Sequence, residues 1–500
     1  MTQLKFPKSL AAVLKSKHVT LFVAEHHAKA AVKAVFPAEA AKALNRALAD
    51  AKAGPMGRVV STHTTEGGLL KASVALLPKE VSRHNAPSRS HAIAACAGQL
   101  GLGSGDAAAV LHLERGEDYL AAANAIARSV PEVSYTTGGD KKKGKKKSKP
   151  KSDTLLILAL DRKGMVIPAS SEVETTTEAT RWAAGLVDTP TADMDAAKFV
   201  AAAKKAVAGV AGVKTQVFVG KQLLEKGLGG IHAVGRTAVV EPRLLILDYK
   251  PSKKAQRTVA FVGKGVVYDT GGLNIKVGGN MAGMKCDMGG AAAVTGAFLA
   301  LAKQKVPHRV ICLVPLAENA IGPNSYRPDD ILTMHSTKTV EINNTDAEGR
   351  LLLADGVSYA ARVFKPEVVI DAATLTGAQL VATGKRHAAV VSNRGGLEAL
   401  AVEAGLASGD LTHPLPFAPE FFQAEFKSEI ADMKNSVKDR ANAQSSCAGQ
   451  FVYSHMADTD LPWLHVDLAG PAFPNRRATG FGVALLGELV RGLSPKHLKK

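Results

Sequence analysis

The stretch Asn344-Thr345-Asp346-Ala347-Glu348-Gly349-Arg350 organises the interpretation of this chain. Two carboxylates, Asp346 and Glu348, stand one residue apart, and an arginine follows two residues later. The residues from Leu351 onward predict a helix, so both carboxylates would lie on a tight turn at a helix N-terminus, where negative charge is favoured. Side chains on such a turn can point into one small volume, and a divalent cation with oxygen ligands would remove their repulsion. Taken alone, the stretch also fits a capped helix with a solvated charged cluster.

A second cluster of charged residues lies upstream, in glycine-rich loops. The run 258–262 is apolar and β-branched and predicts a strand, while 291–303 predicts a helix. The loops between them carry four charged residues: Lys264, Asp269, Lys276 and Asp287. Sites in open α/β sheets form beyond the carboxyl ends of strands, and glycines allow close backbone approach. The four carboxylates of the two clusters would supply enough oxygen ligands for two cations, whereas the sequence has no His-Glu-x-x-His motif for a single zinc ion.

Composition is that of a globular protein with more than one domain. The chain has 500 residues, of which 46% are hydrophobic and 22% charged. Its four cysteines are widely scattered, which argues against a disulfide framework or a cysteine zinc site and favours a reducing compartment: Cys96, Cys286, Cys312 and Cys447. No apolar run is long enough to span a bilayer, and the N-terminus shows no signal peptide. We therefore expect a cytoplasmic protein.

The net charge of +18 is partly a local feature. Eight lysines fall between Lys141 and Lys151, and without them the excess would be +10. Residues 136–153 are mostly Gly, Lys and Ser, a composition that predicts a solvated, disordered loop inside the first domain. The excess of basic over acidic residues favours nucleic acid as a partner. Aromatic residues, however, make up only 5% of the chain and offer little stacking on bases.

The pattern of apolar runs predicts two α/β regions. Residues 1 to about 135 alternate strands with alanine-rich helices, the strands at 19–24 and 72–77 and the helices at 38–51, 90–100 and 117–128. A strand at 154–160 and a helix at 171–186 follow, and from residue 196 helices and strands alternate as in a mainly parallel sheet covered by helices. Gly227-Leu228-Gly229-Gly230 lacks the full glycine spacing of a nucleotide-binding loop and is predicted to be a turn.

Together these motifs resemble the signatures of the leucyl aminopeptidase (cytosol aminopeptidase) family. The matching segments are 262–265, 269–272, Lys276, 284–293, 344–350, 373–377 and 478–482, within a likeness that covers roughly residues 170–495. The segments 317–319, 321–324, 327–330 and 431–436 resemble the probable aminopeptidase-like branch of that family. The stretch at 344–350 is the family's hallmark and is highly specific.

The resemblance implies an α/β fold with a small N-terminal α/β domain and a larger C-terminal catalytic domain whose mainly parallel central sheet is flanked by helices. We expect the first domain at 1–168, with the lysine-rich loop, a linking helix at 169–190, and the dimetal catalytic domain at 191–500. The implied activity is a two-metal exopeptidase that hydrolyses the N-terminal residue from peptides, with a broad preference for Leu-like residues. The family assembles as homohexamers of paired trimers whose active sites face an interior cavity.

The resemblance also implies roles for individual residues. Lys264, Asp269, Asp287 and Glu348 would hold one Zn or Mn ion, and Asp269, Asp346 and Glu348 would hold the other. A lysine ligand must be neutral, so the adjacent cation has to depress its pKa. Lys276 would stabilise the oxyanion, and Arg350 would hold a bicarbonate that shuttles the proton. The substrate-binding residues would be Met284, Thr374, Leu375 and Gly377, with the Leu375 N–H also directed at the bicarbonate.

Two other hypotheses stay open on the sequence alone. The first is a nucleic-acid-binding protein that uses the basic segments, with peptidase activity secondary. The second is a scaffold with a lost active site, which is disfavoured because every ligand position and both lysines are present. His465 and Asp467 lie on a predicted strand at 463–468 and are expected to form a packed, hydrogen-bonded pair rather than a metal site.

Overall fold

The alternating apolar runs form two α/β units in the computed structural model, which describes residues 2–103, 105–135 and 153–500. The lysine-rich segment at 136–152 therefore lies outside the described residues. One unit consists of Met1–Arg181 with Leu406–Gly409, and the other of Trp182–Gly405 with Asp410–Lys500. The change of unit falls inside the helix Ser171–Asp188. The domain limits at 168 and 190 stay a prediction.

The first unit is built on a mostly parallel sheet. Its strands are β1 (Gln3–Lys5), β2 (His18–Ala24), β3 (Arg58–His63), β4 (Lys71–Leu77), β5 (Asp106–His112), β6 (Thr154–Leu160) and β7 (Val166–Ile167). Its helices are α1 (Leu10–Val13), α2 (Ala28–Val35), α3 (Ala38–Ala47), α4 (Ser90–Leu100), α5 (Tyr119–Arg128) and α6 (Ser171–Asp188), the last of which continues into the second unit. The strand order is β1-β6-β5-β2-β4-β3, with β7 beside β6. Strand β2 pairs in parallel with both β4 and β5.

Both faces of this sheet are buried. Along β2, Val19, Leu21 and Val23 belong to one core cluster with α2 and α3. Phe22 points to the other face and packs in a cluster with residues of α4 and α5. This alternation follows from the two-residue period of a strand, and burial on both faces explains why β2 reads as a continuous apolar run.

The second unit has a larger sheet and most of the helices. Its strands are β8 (Val213–Val219), β9 (Arg243–Tyr249), β10 (Thr258–Gly263), β11 (Gly265–Asp269), β12 (Arg309–Asn319), β13 (Ile331–Thr333), β14 (Thr339–Glu341), β15 (Val368–Ala373), β16 (Ala388–Ser392), β17 (Thr412–Pro414), β18 (Met433–Lys434) and β19 (Trp463–Asp467). Its helices are α7 (Ala196–Val207), α8 (Lys221–Glu225), α9 (Gly229–Gly235), α10 (Gly289–Lys303), α11 (Gly349–Tyr359), α12 (Gly377–Ala382), α13 (Gly395–Ser408), α14 (Pro419–Phe422), α15 (Gln444–Ser454), α16 (Ala469–Ala472) and α17 (Val483–Gly492).

Strand β10 lies at the centre of the large sheet, whose order is β17-β16-β19-β15-β10-β12-β9-β8 with β11 beside β12. It pairs in parallel with β12 and β15, while β8, β9 and β16 supply the antiparallel pairings. Val259, Ala260, Phe261 and Val262 are all fully buried, as expected for a strand covered by helices on both faces. The mainly parallel sheet flanked by helices is thus confirmed. Strands β13, β14 and β18 form a separate small sheet.

Several predicted elements have different limits in the structure. The helix predicted at 38–51 already ends at Ala47. The residues that follow, including Pro55 and Gly57, are not helical. The predicted turn at Gly227–Gly230 is wrong in its second half, because α9 already begins at Gly229. Helix α11 starts at Gly349 and continues into a π-helical turn at Ala360–Phe364.

The state of the cysteines and the apolar length of the helices can be read from the structure. All four cysteines are free thiols. Among the described residues, no helix is both long and apolar enough to cross a bilayer.

Candidate active site

The ends of three strands bring the predicted site residues together. Lys264 follows the end of β10, Asp269 is the last residue of β11, and Thr374 follows the end of β15. The chain leaves β10 through α10 toward β12, whereas it leaves β15 toward β16 on the other side of the sheet. Crevices between strands whose connections diverge in this way are the usual ligand sites of open α/β sheets. The sequence-predicted location is therefore the place that the topology favours.

The carboxylate cluster consists of Asp269, Asp287, Asp346 and Glu348. Carboxylate oxygens of Asp269, Asp346 and Glu348 all lie within 4.8 Å of one another. Glu348 occupies the N-cap position of α11, as expected from the motif, and Asp287 lies in the 3-10 turn Met284–Met288 that precedes α10. Asp269, Asp287 and Glu348 are buried, and Asp346 is partly exposed.

Lys264 pairs with two members of this cluster. Its Nζ lies 2.7 Å from Asp287 Oδ1 and 3.0 Å from Glu348 Oε1, and it donates to the Thr374 carbonyl at 2.9 Å. Glycine at position 349 makes this approach possible, since a Cβ there would lie only 2.6 Å from Lys264 Nζ. A larger residue at position 349 would collide with Lys264, which explains the glycine of the hallmark motif.

Lys276 pairs with the other two carboxylates. Its Nζ lies 2.8 Å from Asp269 Oδ2 and 2.5 Å from Asp346 Oδ1. The loop returns to the cluster because Gly271 adopts a φ of 86°, which favours glycine, and the Lys276 N–H then donates to the Thr270 carbonyl at 2.9 Å.

Burial and mutual repulsion shift the pKa values in the cluster. Burial, reinforced by the nearby Glu348 charge, raises the pKa of Asp269 to about 6, and burial raises that of Asp287 as well. Burial would also raise the pKa of Glu348, but the Lys264 and Lys276 ammonium groups hold it below its ordinary value. For Lys264, burial alone would lower the pKa, yet the surrounding carboxylates raise it. The neutral amine that metal ligation requires must therefore come from the effect of the cation itself.

The donor set fits a pair of divalent cations. Asp287 Oδ2 and Glu348 Oε2 are buried and have no hydrogen-bond partner among the described residues. Leaving such oxygens without a partner is costly, and hard or borderline dications prefer carboxylate oxygens. Four carboxylates beside two ammonium groups also leave negative charge for cations to neutralise.

Arg350 is held rigidly beside the cluster. It is 4% exposed, its Nη1 donates to the Asn435 carbonyl at 3.0 Å, and its guanidinium carbon lies 6.0 Å from the Phe451 ring centre. Burial lowers the pKa of Arg350 to about 10, which leaves it charged at neutral pH.

The predicted substrate residues lie in different local settings. Thr374 is buried and its Oγ1 donates to Asp287 Oδ1 at 2.9 Å, so it contacts the cluster directly. Gly377 is the exposed first residue of α12, and Met284 is a partly exposed residue at the start of its turn. The Leu375 N–H donates to Asp467 Oδ1 at 3.1 Å, so an anion bound there would have to compete with this carboxylate. That these four residues together form a substrate pocket stays a prediction.

His465 and Asp467 are both fully buried and hydrogen-bonded, but not to each other as expected. His465 Nδ1 lies 2.5 Å from Asp371 Oδ1, whereas Asp467 accepts from the Thr376 hydroxyl at 2.7 Å. Side chains alternate along β19, so His465 and Asp467 lie on the same face of the sheet. Their partners lie in the neighbouring strand β15, for His465, and in the loop after it, for Asp467.

Sequence reasoning missed the residues that hold the cluster in place. Asn319, at the end of β12, donates to Asp269 Oδ1 at 2.8 Å and to the Thr345 carbonyl at 3.1 Å. The Tyr326 hydroxyl donates to the same carbonyl at 2.6 Å. Asn435 accepts from the Asn343 N–H at 2.9 Å. For Asn319 and Asn435 the available signal was the family-like segments at 317–319 and 431–436, to which no role was assigned; Tyr326 lies in none of the family-like segments.

The chain is similar to known proteins over most of its length. Residues 181–487 match the catalytic domain of the cytosol aminopeptidase family, and residues 25–139 match the M17 aminopeptidase N-terminal domain 2. The chain is 46% identical over 416 residues to the probable aminopeptidase NPEPL1 of Mus musculus, which covers 83% of this chain and 78% of that protein.

Solved structures share the fold. The leucyl aminopeptidase from Trypanosoma brucei, solved in complex with bestatin, has a TM-score of 0.88 at 35% identity and covers 98% of this chain and 96% of that one. The bottromycin maturation enzyme BotP, solved in complex with Mn, has a TM-score of 0.76 at 28% identity and covers 95% and 99%.

Proposed function

The chain belongs to the cytosol aminopeptidase (M17) family, and from that premise we propose how its own residues carry out the reaction. It is a metal-dependent exopeptidase of the leucyl aminopeptidase type, a hydrolase that removes the N-terminal residue from peptides. The observation that carries the proposal is the convergence of Asp269, Asp346 and Glu348 oxygens within 4.8 Å at the carboxyl ends of the central strands.

Five residues would hold the two metal ions. Lys264, Asp269, Asp287 and Glu348 form one set of donors, and Asp269, Asp346 and Glu348 form the other, so that Asp269 and Glu348 are shared. Bound dications would activate water and polarise the scissile carbonyl at neutral pH. Zinc and manganese both suit this donor set of carboxylates with one amine.

Lys276 would act on the substrate rather than on a metal. Its ammonium group is 16% exposed, against 3% for Lys264, so it can reach the solvent side of the cluster. The Asp269 and Asp346 carboxylates hold it there and, although burial opposes them, keep its pKa above the ordinary value. A fixed positive charge at this place would stabilise the oxyanion of the tetrahedral intermediate.

Arg350 would anchor the group that moves the proton. The described motifs at the cluster contain no histidine, and the planar guanidinium suits a planar carbonate. With Nη1 donating to the Asn435 carbonyl, the fork is fixed in orientation, and its remaining N–H groups would bind bicarbonate. Arg350 would thereby hold a general base beside the cluster, where proton transfer from water to the leaving amine is needed.

Residues beside the cluster would select the first residue of the peptide. Met284, Thr374, Leu375 and Gly377 are our candidates for a pocket that accepts Leu-like side chains over a broad range. The hydrogen bond from Thr374 to Asp287 places this candidate pocket next to the carboxylate cluster. The space beside exposed Gly377 is open, since a Cβ there would meet no atom within 4 Å.

We also place the enzyme in the cytoplasm as a homohexamer. Several relatives of 43% identity are named probable cytosol aminopeptidase, which supports the first part of this proposal. The hexamer is the assembly expected from the resemblance to the family. Light scattering should give six 52.1 kDa chains per particle, and an active monomer at low concentration would contradict this assembly. The nucleic-acid alternative gains no support from the comparisons, which match aminopeptidase domains and relatives.

Paired substrates test the proposed reaction. Tag-free protein is stripped of metal, reloaded with Zn²⁺, Mn²⁺ or Co²⁺, and assayed on leucine amide and N-acetyl-leucine amide. We expect metal-dependent hydrolysis of the free amine alone. Asp346→Asn should be inactive, while the control Asp432→Asn, at an exposed carboxylate that accepts from Thr339, should stay active. Equal hydrolysis of the acetylated amide would contradict an exopeptidase.

A further inference from the structure

A second group of metal-ligand side chains lies in the first unit. His26 and His27 follow β2, and His112 and Glu114 lie at the end of β5. We call these four residues the histidine cluster. An Nε2 or Nδ1 atom of each of His26 and His27 and a carboxylate oxygen of Glu114 all lie within 4.8 Å of one another.

The topology of the first sheet favours a site at this place. Strands β2 and β5 are parallel neighbours, with Phe22 opposite Leu111 near their carboxyl ends. From β2 the chain continues toward β3 and β4, whereas from β5 it continues toward β6 on the other side. The connections therefore diverge between β2 and β5, as they do between β10 and β15 in the second unit. Ligands of open α/β sheets bind at such points.

The distances are close to those of ligands around one ion. His26 Nε2 lies 3.0 Å from Glu114 Oε1, and His27 Nε2 lies 3.6 Å from the same oxygen. Metal–ligand bonds of about 2.0–2.1 Å in a tetrahedral site would separate neighbouring ligand atoms by about 3.3 Å. The two imidazole rings are 4.1 Å apart between centres, and small side-chain movements would suffice.

His112 supplies an independent observation. Its side chain is only 9% exposed, and its Nδ1 is buried without a hydrogen-bond partner among the described residues. Its ring centre lies 5.7 Å from that of His27. A buried imidazole nitrogen without a partner is costly. His112 is not among the residues whose ligand atoms lie within 4.8 Å of one another, so its ring would have to move to bind an ion beside His27.

Glu114 is oriented by an arginine. The Arg89 guanidinium lies 2.5 Å from Glu114 Oε2, and Arg89 also donates to the carbonyls of Pro78, Lys79 and Pro87. This leaves Oε1 directed at the two histidines. Outer partners that fix a carboxylate ligand are typical of metal sites.

We propose that His26, His27 and Glu114, with His112 as a fourth ligand, bind one zinc-like transition-metal dication in the first unit. The set of two or three histidines and one carboxylate matches the nitrogen and oxygen ligands that zinc prefers. His26 and His27 are about one-third exposed, which gives the ion a path from solvent.

The protonation states agree with this assignment. Burial lowers the pKa of His112, and burial together with the His26 ring lowers that of His27, so both rings are neutral at neutral pH. Burial would raise the pKa of Glu114, but Arg89 holds it below its ordinary value, so the carboxylate is ionised. Neutral imidazole and carboxylate are the forms that bind metal.

The test counts ions at this cluster apart from those at the peptidase site. Full-length, tag-free protein carrying Asp346→Asn and Glu348→Gln is titrated with Co²⁺, followed by visible absorption, and with Zn²⁺, followed by competition with a chromogenic chelator. We expect one ion per chain. Adding His26→Ala and His27→Ala should weaken binding more than about 100-fold, beyond the 10–100-fold effect of outer-partner changes.

Two further measurements keep the test decisive. His18→Ala is the matched control, because His18 is an exposed histidine at the opposite end of β2 and should leave the ion in place. If the background variant does not fold, the chain with an intact peptidase site is used instead. There, His26→Ala with His27→Ala should remove one ion while peptidase turnover persists. Binding of no ion, or equal binding after loss of both histidines, would overturn the proposal and leave an ion-pair cluster only.

Discussion

Lys264 and Lys276 divide the carboxylate cluster between them, and the division separates two roles. Lys264 contacts Asp287 and Glu348 in a closed setting, whereas Lys276 contacts Asp269 and Asp346 in a more open one. The sequence identified both lysines, but only the structure shows which carboxylates each one neutralises.

Replacing Lys276 tests its assignment to the oxyanion. Lys276→Met removes the charge but keeps the length of the side chain. Loss of one oxyanion donor typically lowers turnover about 10²–10³-fold, so we expect a fall in kcat of that order with a smaller change in KM. Metal content should be unchanged, as measured by mass spectrometry. A variant that loses its metal instead would make Lys276 part of the metal-holding set.

Replacing Arg350 separates proton transfer from metal binding. Arg350→Ala should keep both ions, because no donor of the metal sets is lost, and should lower kcat by about 10²–10⁴-fold, the range of general acid–base catalysis. Arg350→Lys keeps the charge without the fork and serves as the comparison. Added bicarbonate should raise turnover of the parent but not of Arg350→Ala. Loss of metal in Arg350→Ala but not in Arg350→Lys would show that Arg350 only balances the cluster's charge.

At the scale of elements, helix α11 connects the site to the rest of its unit through Asp355. This fully buried carboxylate accepts from the Ile231 N–H at 3.0 Å and the His335 N–H at 2.9 Å. Burial raises the pKa of Asp355 to about 7, above the ordinary value near 3.9. Between about pH 4 and pH 7, the folded chain therefore keeps a proton on Asp355 that the unfolded chain has already lost.

The sign of the resulting pH dependence follows from this proton. Where the folded state binds more protons than the unfolded state, the free energy of unfolding falls as pH rises. Urea unfolding, followed by tryptophan fluorescence, should show Asp355→Asn gaining stability relative to the parent as pH rises from 4 to 7. Asp432 is the control, since hydrogen bonds from Thr339 lower its pKa. Its stabilising contribution is constant from pH 4 to 7 and is lost only at more acid pH, so Asp432→Asn should differ from the parent by a constant amount across this range. A constant difference between parent and Asp355→Asn would contradict the shift.

The elements that carry the metal donors were predictable because local pattern defines them. The run 258–262 became β10 almost unchanged, and the helix predicted at 291–303 became α10, which begins two residues earlier. The hallmark stretch placed Glu348 at the start of a helix correctly. In each case the signal is a short apolar period or a cap within a few residues.

The supporting contacts were not predictable because they join distant parts of the chain. Asn435 meets Arg350 across 85 residues, and Asn319 meets Asp269 across 50. His465 was expected to pair with Asp467 but bonds Asp371 on the neighbouring strand, since strand pairing and not sequence distance decides its partner. Family likeness marked some of these residues without giving their contacts.

At the scale of the whole molecule, each unit has one pair of neighbouring parallel strands with diverging connections and a ligand-like cluster at its end. In the second unit this is the carboxylate cluster, and in the first it is the histidine cluster. The two clusters differ in donor type. Mn²⁺, which prefers oxygen ligands, should favour the carboxylate cluster, whereas Zn²⁺ suits both clusters.

The lysine-rich segment should be dispensable for catalysis. Every predicted donor and substrate residue lies between Lys264 and Gly377, far along the chain from Lys141–Lys151. Deleting Lys141–Lys151 should therefore leave kcat and KM on leucine amide within about twofold, the range of a change that alters no residue of the site. A large loss of turnover in a folded, metal-loaded deletion would assign the segment a catalytic role.

The central claim, that five residues of this chain form a two-ion catalytic site, is tested most directly by counting metal against turnover. Metal ions per chain are measured by mass spectrometry for the parent and for Asp346→Asn with Glu348→Gln, at equal protein concentration and after identical loading. The parent should hold two more ions per chain than the variant, the variant should be inactive, and chelation of the parent should abolish turnover that Zn²⁺ or Mn²⁺ restores. Equal metal content in the two proteins, or full turnover after verified metal removal, would contradict the account.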